Sequence, residues 1–591
     1  MRHGPCTCER RWSRLADFAN AAAPRFPIPA RKLAELTMIH QIEVQVLVLL
    51  LIASLVSMGA RWLRLPYTLA LVVAGLALGF VHIETLKGLH LTQELLLLLF
   101  LPPLLFEAAF HLPFADFRRN AAHILFLAVP GVLVSVGVTA GLAYAGIHLT
   151  GLEPGFGWAA AFLFASVIAA TDPISVLALF KELGAPRRLY LLVEGESLLN
   201  DGVAVVVFGI VAAIFGLPNL HGQLVALDGA GEIVSYALVT AIKTGLGGAL
   251  VGGIIGGLLS VVTRQVDDHL IEITLTTLVA WGSFLLAEQL QVSGVLSTVM
   301  AGIVVGSFGT HYGMSPTTRL AVQDFWEYMG FISNSFIFLL IGLELESGQL
   351  LAYVPTIAVA FASVLLGRAV LVYGAMPLTE SKSSAVPPAW RHVLVWGGLR
   401  GSLSMVLILG LPADFAARSL LVSIVFGVVT ASLFIQGLTM AGLMRRLGVS
   451  GPTAGGGLEY ELARGQALAS ARVLAHADEL REEGFLDEAT HKRLQAWYST
   501  NRDEAAVRAR ELAGDTARPE RLLEGVKALA AVEQEAIRHA AHNGILTRQA
   551  ASELLSRMDH RLAALDGAAH EGDGVLLEEL ERWFPQSKEK E

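Results

Sequence analysis

The apolar residues of this chain are gathered into long runs that are separated by short polar connections. An α-helix needs about 20 apolar residues to cross the hydrocarbon core of a bilayer, and most of the runs are close to that length. They predict an all-α, polytopic membrane protein. We identify thirteen candidate transmembrane helices, at residues 41–60, 66–82, 94–112, 121–147, 158–180, 190–216, 233–262, 269–289, 292–307, 325–345, 353–376, 391–411 and 417–443.

The pattern changes after the last apolar run. Residues 448–457 end in three successive glycines and predict a flexible linker, and residues 458–591 show helical periodicity with charged faces. Over the whole chain 54% of the residues are hydrophobic and 16% are charged, whereas about a quarter of a typical soluble domain is charged. Almost all of the formal net charge of −9 falls after residue 450. We therefore predict a transmembrane domain at 38–447 and a soluble helical tail at 458–591.

The basic residues in the predicted connections are distributed unequally between the two faces of the membrane. One set of alternate connections holds only Lys87 and Arg418, whereas the opposite set is rich in basic residues. Lys and Arg accumulate on the cytoplasmic side, so the richer set, and with it the tail, is predicted to be cytoplasmic. That set consists of Arg61, Arg64, Arg118, Arg119, Lys181, Arg187, Arg188, Arg264, Arg319, Lys382, Arg391, Arg445 and Arg446.

Residues 1–37 do not fit this distribution. They carry several basic residues on the face that is predicted to be external, and they contain neither an apolar run long enough to span nor a signal-peptide core. Met38 stands directly before the first predicted helix. We expect this N-terminal extension to be disordered or to precede the natural start of the protein.

Ionisable residues inside transmembrane helices are costly and usually functional. In the candidate helix 158–180, Pro173 follows Thr171 and Asp172. Proline removes a backbone donor and clashes with the preceding turn, which predicts a break of the helix near Thr171. Carbonyl groups at such a break can bind a cation, and Asp172 can offset the positive end of the following half-helix. The alternative is a simple proline kink with a hydrogen-bonded aspartate.

The next candidate helix, 190–216, carries two rows of oxygen-bearing side chains. Ser197 and Asp201 lie four residues apart and share one face, and Glu196 and Asn200 form the neighbouring row. Hard monovalent cations prefer carboxylate, hydroxyl and carbonyl oxygens, which these residues and the Thr171 carbonyl supply. A purely structural hydrogen-bond cluster is the alternative interpretation.

A second interrupted helix is predicted in the C-terminal half of the membrane domain. Glycines surround Arg400 within 391–411, and Arg400 there can offset the carbonyl end of a half-helix. Arg368 needs an anionic partner, for which Glu196 is the first candidate and Glu107 the second. One broken helix in each half of the chain is typical of inverted-repeat secondary transporters.

These segments resemble the sodium/proton exchanger family, whose motifs occur here in the expected order on the expected helices. The resemblance implies thirteen helices, two inverted six-helix repeats with crossed broken helices, a homodimer and elevator-like alternating access. It extends over residues 44–445 and rests on Leu101–Glu107, Thr171–Pro173, Glu196–Asp201, Val292–Val295 and Gly397–Gly401.

The resemblance also implies roles for individual residues. Asp201 is expected to be the carboxylate that binds both ion and proton, Asp172 to belong to the crossed broken helices, and Glu196 to pair with Arg368. The ion- and proton-binding set is predicted to be Asp201, Asp172, Thr171, Ser197 and Asn200, with all but Asn200 as ligands of the monovalent cation. The structural set is predicted to be Glu196, Arg368, Arg400 and Glu107.

We therefore expect an antiporter of the bacterial inner membrane that exchanges Na⁺, Li⁺ or K⁺ for protons in pH and sodium homeostasis. Exchangers with two adjacent acids move two protons per cation; here Asn200 precedes Asp201, which suggests electroneutral one-for-one exchange. The alternatives are a cation channel with a cytosolic gating domain, which needs a continuous pore, and a transporter-like sensor that signals through its tail. No enzymatic activity, cofactor or nucleic-acid partner is predicted.

Overall fold

The structure, a computed structural model, describes residues 30–63, 66–81, 92–219, 222–225, 227, 229–263, 268–310, 314, 316–344, 351–379, 386–449, 457–482, 486–513 and individual residues between 530 and 582. Residues 1–29 of the N-terminal extension and residues 450–456 of the predicted linker lie outside the described residues. The chain divides into two compact units, Met1–Gly451 and Pro452–Glu591.

All regular secondary structure of the described residues is helical, as the sequence predicts. The helices of the first unit are α1 (Ala30–Leu63), α2 (Tyr67–Val81), α3 (Leu101–His111), α4 (Phe114–Ala128), α5 (Pro130–Thr150), α6 (Trp158–Val167), α7 (Ile174–Leu183), α8 (Arg187–Ile214), α9 (Ala230–Val262), α10 (His269–Gln289), α11 (Gly294–Val304), α12 (Pro316–Glu344), α13 (Val354–Ala369), α14 (Pro388–Trp396), α15 (Ser402–Leu409) and α16 (Arg418–Arg446). π-helical turns at Leu95–Phe100, Val305–Gly309 and Val370–Ala375 extend α3, α11 and α13.

Eight apolar segments of the described residues are long enough to cross a membrane. They are Glu43–Ala60, Asp116–Thr150, Arg187–Ile214, Ala230–Val262, His269–Gln289, Thr318–Glu344, Val354–Ala375 and Arg418–Arg446. Shorter apolar helices are Tyr67–Gly79, Leu95–His111, Trp158–Val167 and Gly294–Gly309. The chain is thus a multi-pass membrane protein by the length and composition of its helices.

Two of the predicted helices are interrupted where the sequence indicates. α6 ends at Val167 and α7 begins at Ile174, directly after Pro173, so the predicted break near Thr171 is confirmed. α14 ends at Trp396 and α15 begins at Ser402, with the glycine-rich segment between them. The chain therefore has two pairs of half-helices.

One break and one helix start differ from the sequence prediction. The single apolar run predicted at 121–147 is divided between α4 and α5, because Pro130 occupies the first position of a new helix, where its missing N–H is not needed. α1 begins at Ala30, within the segment 1–37 for which no ordered structure was expected.

The helices of the first unit pack as two groups. One group consists of α1, α2, α3, α9, α10, α11 and α12, and the other is formed mainly by α4, α5, α6, α8, α13, α15 and α16. Most of the packing between the groups is made by α8, which contacts α3, α9 and α11. Within the first group α9 and α11 approach closely, because a Cβ atom on Gly252 would lie only 1.8 Å from the backbone oxygen of Ser297.

The second unit contains the helices α17 (Gly457–Glu482) and α18 (Glu488–Ala513), which pack against each other as a hairpin. His491 Nε2 lies 2.7 Å from Asp478 Oδ1 across the hairpin. Asp487 precedes α18 and accepts hydrogen bonds from Thr490, which hold the pKa of this exposed carboxyl below its ordinary value. The predicted breaks near residue 484 and at 514–519 lie outside the described residues.

Candidate functional site

The two interrupted helices cross at their extended segments. The backbone N–H of Asp172 donates a hydrogen bond to the carbonyl oxygen of Leu399, with an N···O distance of 2.8 Å. A Cβ atom on Gly401 would lie 2.3 Å from the Cβ atom of Asp172, so only glycine fits at this position without a shift of the crossing chain. The crossing therefore depends on a residue of the glycine-rich segment that has no side chain.

Charged side chains lie at the free ends of the half-helices. Asp172 Oδ1 accepts a hydrogen bond of 3.0 Å from the N–H of Ile174, at the start of α7. Arg400 Nη1 donates to the carbonyl oxygens of Ala169 at 2.9 Å and Ala170 at 3.3 Å, just beyond the end of α6. A carboxylate at a helix N-terminus and a guanidinium at a helix C-terminus both offset the partial charges of the unpaired backbone groups.

Two polar side chains of α8 donate hydrogen bonds to the extended segment of the first broken helix. Ser197 Oγ donates a hydrogen bond to the carbonyl oxygen of Thr171. Asn200 Nδ2 donates to the carbonyl oxygen of Ala169 at 2.9 Å and to Thr171 Oγ1 at 3.2 Å. Asn200 thus acts as a donor to oxygen atoms of the extended segment, a contact that an ionised carboxylate at this position cannot make.

Asp201 lies one residue further along α8. Its Oδ1 atom, like that of Asn200, is buried and accepts no hydrogen bond from the part of the chain that the structure describes. Asp201 lines a cavity of about 440 Å³ together with Asp172, Thr171 and Ser197. The four residues predicted as cation ligands are therefore brought to one cavity.

Glu196 and Arg368 form a buried ion pair between α8 and α13. Arg368 donates from Nη1 to Glu196 Oε1, and from Nη2 to Oε2 at 2.7 Å, while its Nε donates to the carbonyl oxygen of Leu394 at 3.2 Å. The side chains of Arg368 and Glu196 are 7% and 2% exposed. Of the two acids considered from the sequence, Glu196 is the partner of Arg368.

Glu107 has a different position from the other residues of the predicted structural set. It lies on α3, lines the same cavity as Asp201, and has its Oε1 atom 3.5 Å from His111 Nδ1. Gly330 of α12 packs against its carboxyl group, since a Cβ atom there would lie 3.2 Å from Glu107 Cδ.

Several polar residues of the cavity were not singled out from the sequence. They are His111, Lys181, Tyr190, Glu194, Glu327, Asn334 and Ser402. The helical period of α8 could have indicated Tyr190 and Glu194, which lie eleven and seven residues before Asp201 and so on nearly the same face. The exposed residues His111, Lys181 and Glu327 mark the mouth of the cavity, whereas Asp201 lies about 10 Å along α8 from Glu194.

Comparison with known proteins gives consistent matches to this membrane unit. Residues 47–446 match the family model described as "Sodium/hydrogen exchanger, transmembrane". The chain is 38% identical to the Na⁺/H⁺ antiporter ApNhaP of Aphanothece halophytica, over 72% of this chain and 78% of that protein. It is 33% identical to the Na⁺/H⁺ antiporter NhaS2 of Synechocystis, over 93% of this chain and 98% of that protein.

The fold is similar to that of a solved structure. The sodium proton antiporter MjNhaP1 from Methanocaldococcus jannaschii superposes with a TM-score of 0.55, over 70% of this chain and 97% of that chain. The sequence identity is 18%, so this likeness concerns the fold alone.

Proposed function

Because this chain belongs to the sodium/hydrogen exchanger family of antiporters, we propose that it exchanges Na⁺ for protons one for one by elevator-like alternating access. The exchange of Na⁺ for H⁺ follows from the family and from the relatives that share its length. The family and these relatives do not specify the stoichiometry, the mechanism, the identity of the ligands or the choice among Na⁺, Li⁺ and K⁺. These features are argued from the site.

The observation that carries the proposal is the position and the hydrogen bonding of the Asp201 carboxylate. It lies on the wall of the cavity with a buried oxygen that accepts no hydrogen bond from the described residues, while Ser197 and Asn200 beside it donate to the broken helix. A carboxylate oxygen that is buried without a donor is stabilised by a proton or a cation. A cation and a proton are therefore alternatives at the same oxygen, and binding one displaces the other.

The one-for-one stoichiometry is supported by the contacts of the residues next to Asp201. Asn200 is neutral and its amide nitrogen donates to two oxygen atoms. Asp172 uses Oδ1 to accept from Ile174, which gives this carboxylate a structural role at the start of α7. Asp201 then remains as the carboxylate that exchanges one proton for one cation.

Alternating access is supported by the division of the membrane unit into two groups of helices. The group with α8 carries both broken helices and the buried pair of Glu196 and Arg368. Its helices are therefore held together by packing and by an ion pair. The cavity lies where this group faces α3 and α12 of the other group. A shift of one group past the other would close the cavity at the Lys181 end and open it at the opposite end.

The remaining features of the proposal concern topology and assembly. Counting α4 with α5, α6 with α7 and α14 with α15 gives thirteen membrane crossings, in two inverted six-helix repeats, within a transmembrane domain at 38–447. By the distribution of basic residues the tail at 458–591, which follows the linker at 448–457, is cytoplasmic. We assign it a regulatory role, and we propose a homodimer through the helices of the first group.

The experiment that tests the proposal is ion flux in proteoliposomes that contain the purified full chain. Proton movement is followed with a pH-sensitive dye while Na⁺, Li⁺ and K⁺ gradients are applied in turn, with and without an imposed membrane potential. We expect cation-driven proton flux that is independent of potential and absent in Asp201→Asn. A matched control is Ser54→Ala on α1, because among the described residues the Ser54 hydroxyl donates to the backbone of its own helix. Flux that persists in Asp201→Asn would refute the assignment of the site.

A further inference from the structure

The wall of the cavity opposite Asp201 is formed by the other group of helices. α7 and α8 provide Lys181, Asp201 and their neighbours, whereas α3 and α12 provide Glu107, Glu327 and Asn334. α12 packs on α1, α2 and α3, so Asn334 belongs to the group that does not contain α8. A cation bound at Asp201 thus lies opposite polar side chains that belong to the other group of helices.

Asn334 is the polar group of this wall that has no described hydrogen-bond partner for its oxygen. The residue is 8% exposed and lines the cavity, and its Oδ1 atom is buried and accepts no hydrogen bond from the described residues. The adjacent Ser335 differs, because its Oγ is bonded to the Tyr67 hydroxyl and to the carbonyl oxygen of Phe331. The two neighbouring polar residues of α12 therefore have different roles, one in packing and one towards the cavity.

A buried amide oxygen without a donor is rare in folded proteins and calls for an explanation. An amide oxygen is a hard ligand of the same class as the carbonyl and carboxylate oxygens around Asp201. We propose that Asn334 binds the transported cation, or its remaining water of hydration, through Oδ1 from the wall opposite Asp201. This inference rests on the proposed exchange function and adds a ligand that belongs to the other helix group.

The position of Asn334 implies that it contributes to cation binding from one side of the membrane. The cavity opens at the end marked by His111, Lys181 and Glu327, and Asn334 faces it in this conformation. When the group with α8 moves, Asp201 moves with it and Asn334 stays with α12. Asn334 therefore stabilises the bound cation while the site is open to the Lys181 side, and it makes no contribution when the site is open to the other side.

The test compares cation binding from the two sides of the membrane. Asn334→Leu removes the oxygen but keeps the number and branching of the side-chain heavy atoms, Asn334→Asp keeps an oxygen at the same position, and Ser335→Ala is the matched control on the neighbouring residue. Exchange is measured in proteoliposomes separated by the orientation of the tail, with Na⁺ varied on one side at a time. Loss of one ligand to a charged group corresponds to a roughly tenfold increase in the apparent KM for Na⁺.

We expect that increase in Asn334→Leu only when Na⁺ is presented on the Lys181 side, with an unchanged maximal rate, and we expect Asn334→Asp to keep or lower the parental KM on that side. Ser335→Ala should leave both KM values unchanged. An equal shift on both sides, or no shift in either Asn334 variant, would overturn the inference while the parent still exchanges. If Asn334→Leu fails to fold, an unaltered KM on the Lys181 side in Asn334→Ser, whose shorter side chain cannot place an oxygen at the position of Oδ1, overturns it. A parent without exchange would instead refute the proposed function, and the inference with it.

Discussion

The ion pair between Glu196 and Arg368 allows a sharp test of how the core of the membrane unit is stabilised. The perturbation is Arg368→Ala, which leaves the Glu196 carboxylate in a site where it is 2% exposed. It also removes the donor to the Leu394 carbonyl oxygen. Breaking a buried pair by removing one partner costs about 3–5 kcal/mol, because the remaining charge is neither hydrated nor paired.

The double variant Glu196→Leu/Arg368→Leu separates the charge from the packing. Replacing both members of a buried pair by apolar residues of similar volume is often neutral or stabilising. We therefore expect the double variant to be more stable than Arg368→Ala, although it carries the larger change in chemistry. The single variants Glu196→Leu and Arg368→Leu and the double variant together give the coupling energy of the pair.

A surface ion pair of the same molecule provides the matched control. Arg187 Nη2 lies 2.7 Å from Asp116 Oδ2, but the two side chains are 75% and 23% exposed. Exposed pairs contribute about 0–1 kcal/mol, so Arg187→Ala should change the unfolding temperature little. The assay is thermal unfolding in detergent, followed by intrinsic fluorescence. Equal losses in Arg368→Ala and Arg187→Ala would refute the reasoning, as would a double variant less stable than both single variants.

Three further predictions concern the crossing, the stoichiometry and the tail. Gly401→Ala should abolish exchange by displacing Asp172, whereas Gly437→Ala, whose added Cβ has no neighbour within 4 Å, should not; equal activity of the two would contradict the crossing geometry. Asn200→Asp should lower stability by about 1–3 kcal/mol through loss of its donor and, because it adds a second acid beside Asp201, should make exchange dependent on potential; a flux that stays independent of potential would count against the role given to the amide. Deleting 458–591 should shift the pH or cation dependence of exchange and keep its maximal rate, and complete loss in a folded truncation would place the tail within the transport unit.

The features that the sequence predicts well are those that depend on a few neighbouring residues. The membrane class follows from runs of about 20 apolar residues, and the break before Ile174 follows from Pro173, because proline cannot continue a helical hydrogen-bond ladder. Pro130 has the same chemistry, and as the first residue of α5 it divides the apolar segment Asp116–Thr150 into two helices. Whether a proline kinks a helix or starts a new one depends on the packing of the preceding helix, here α4. The hydrophobic periodicity of the sequence does not show that packing.

The features that escape the sequence depend on which helices become neighbours. Glu107 could be a partner of Arg368 by charge alone, and only the packing of α3 against α12 directs it to the cavity. Asn334 has no local signal, because a polar residue in an apolar helix is equally suited to helix packing. Arg418, an exception in the distribution of basic residues, donates to the carbonyl oxygens of Leu409 and Leu411 at the end of α15, a role set by the fold.

Five charged residues at the crossing have a consequence for coupling. Asp172, Glu196 and Asp201 carry three formal negative charges, and Arg368 and Arg400 carry two positive ones. One Na⁺ or one proton at Asp201 brings the sum to zero, so membrane potential exerts no net force on either loaded form. The unloaded core keeps one uncompensated charge, whose passage would cost about 2.3 kcal/mol per 100 mV in addition to its dehydration. Under the one-for-one exchange by alternating access proposed above, the same arrangement disfavours the return of the empty core, and we expect it to suppress a leak of either ion without a separate gate.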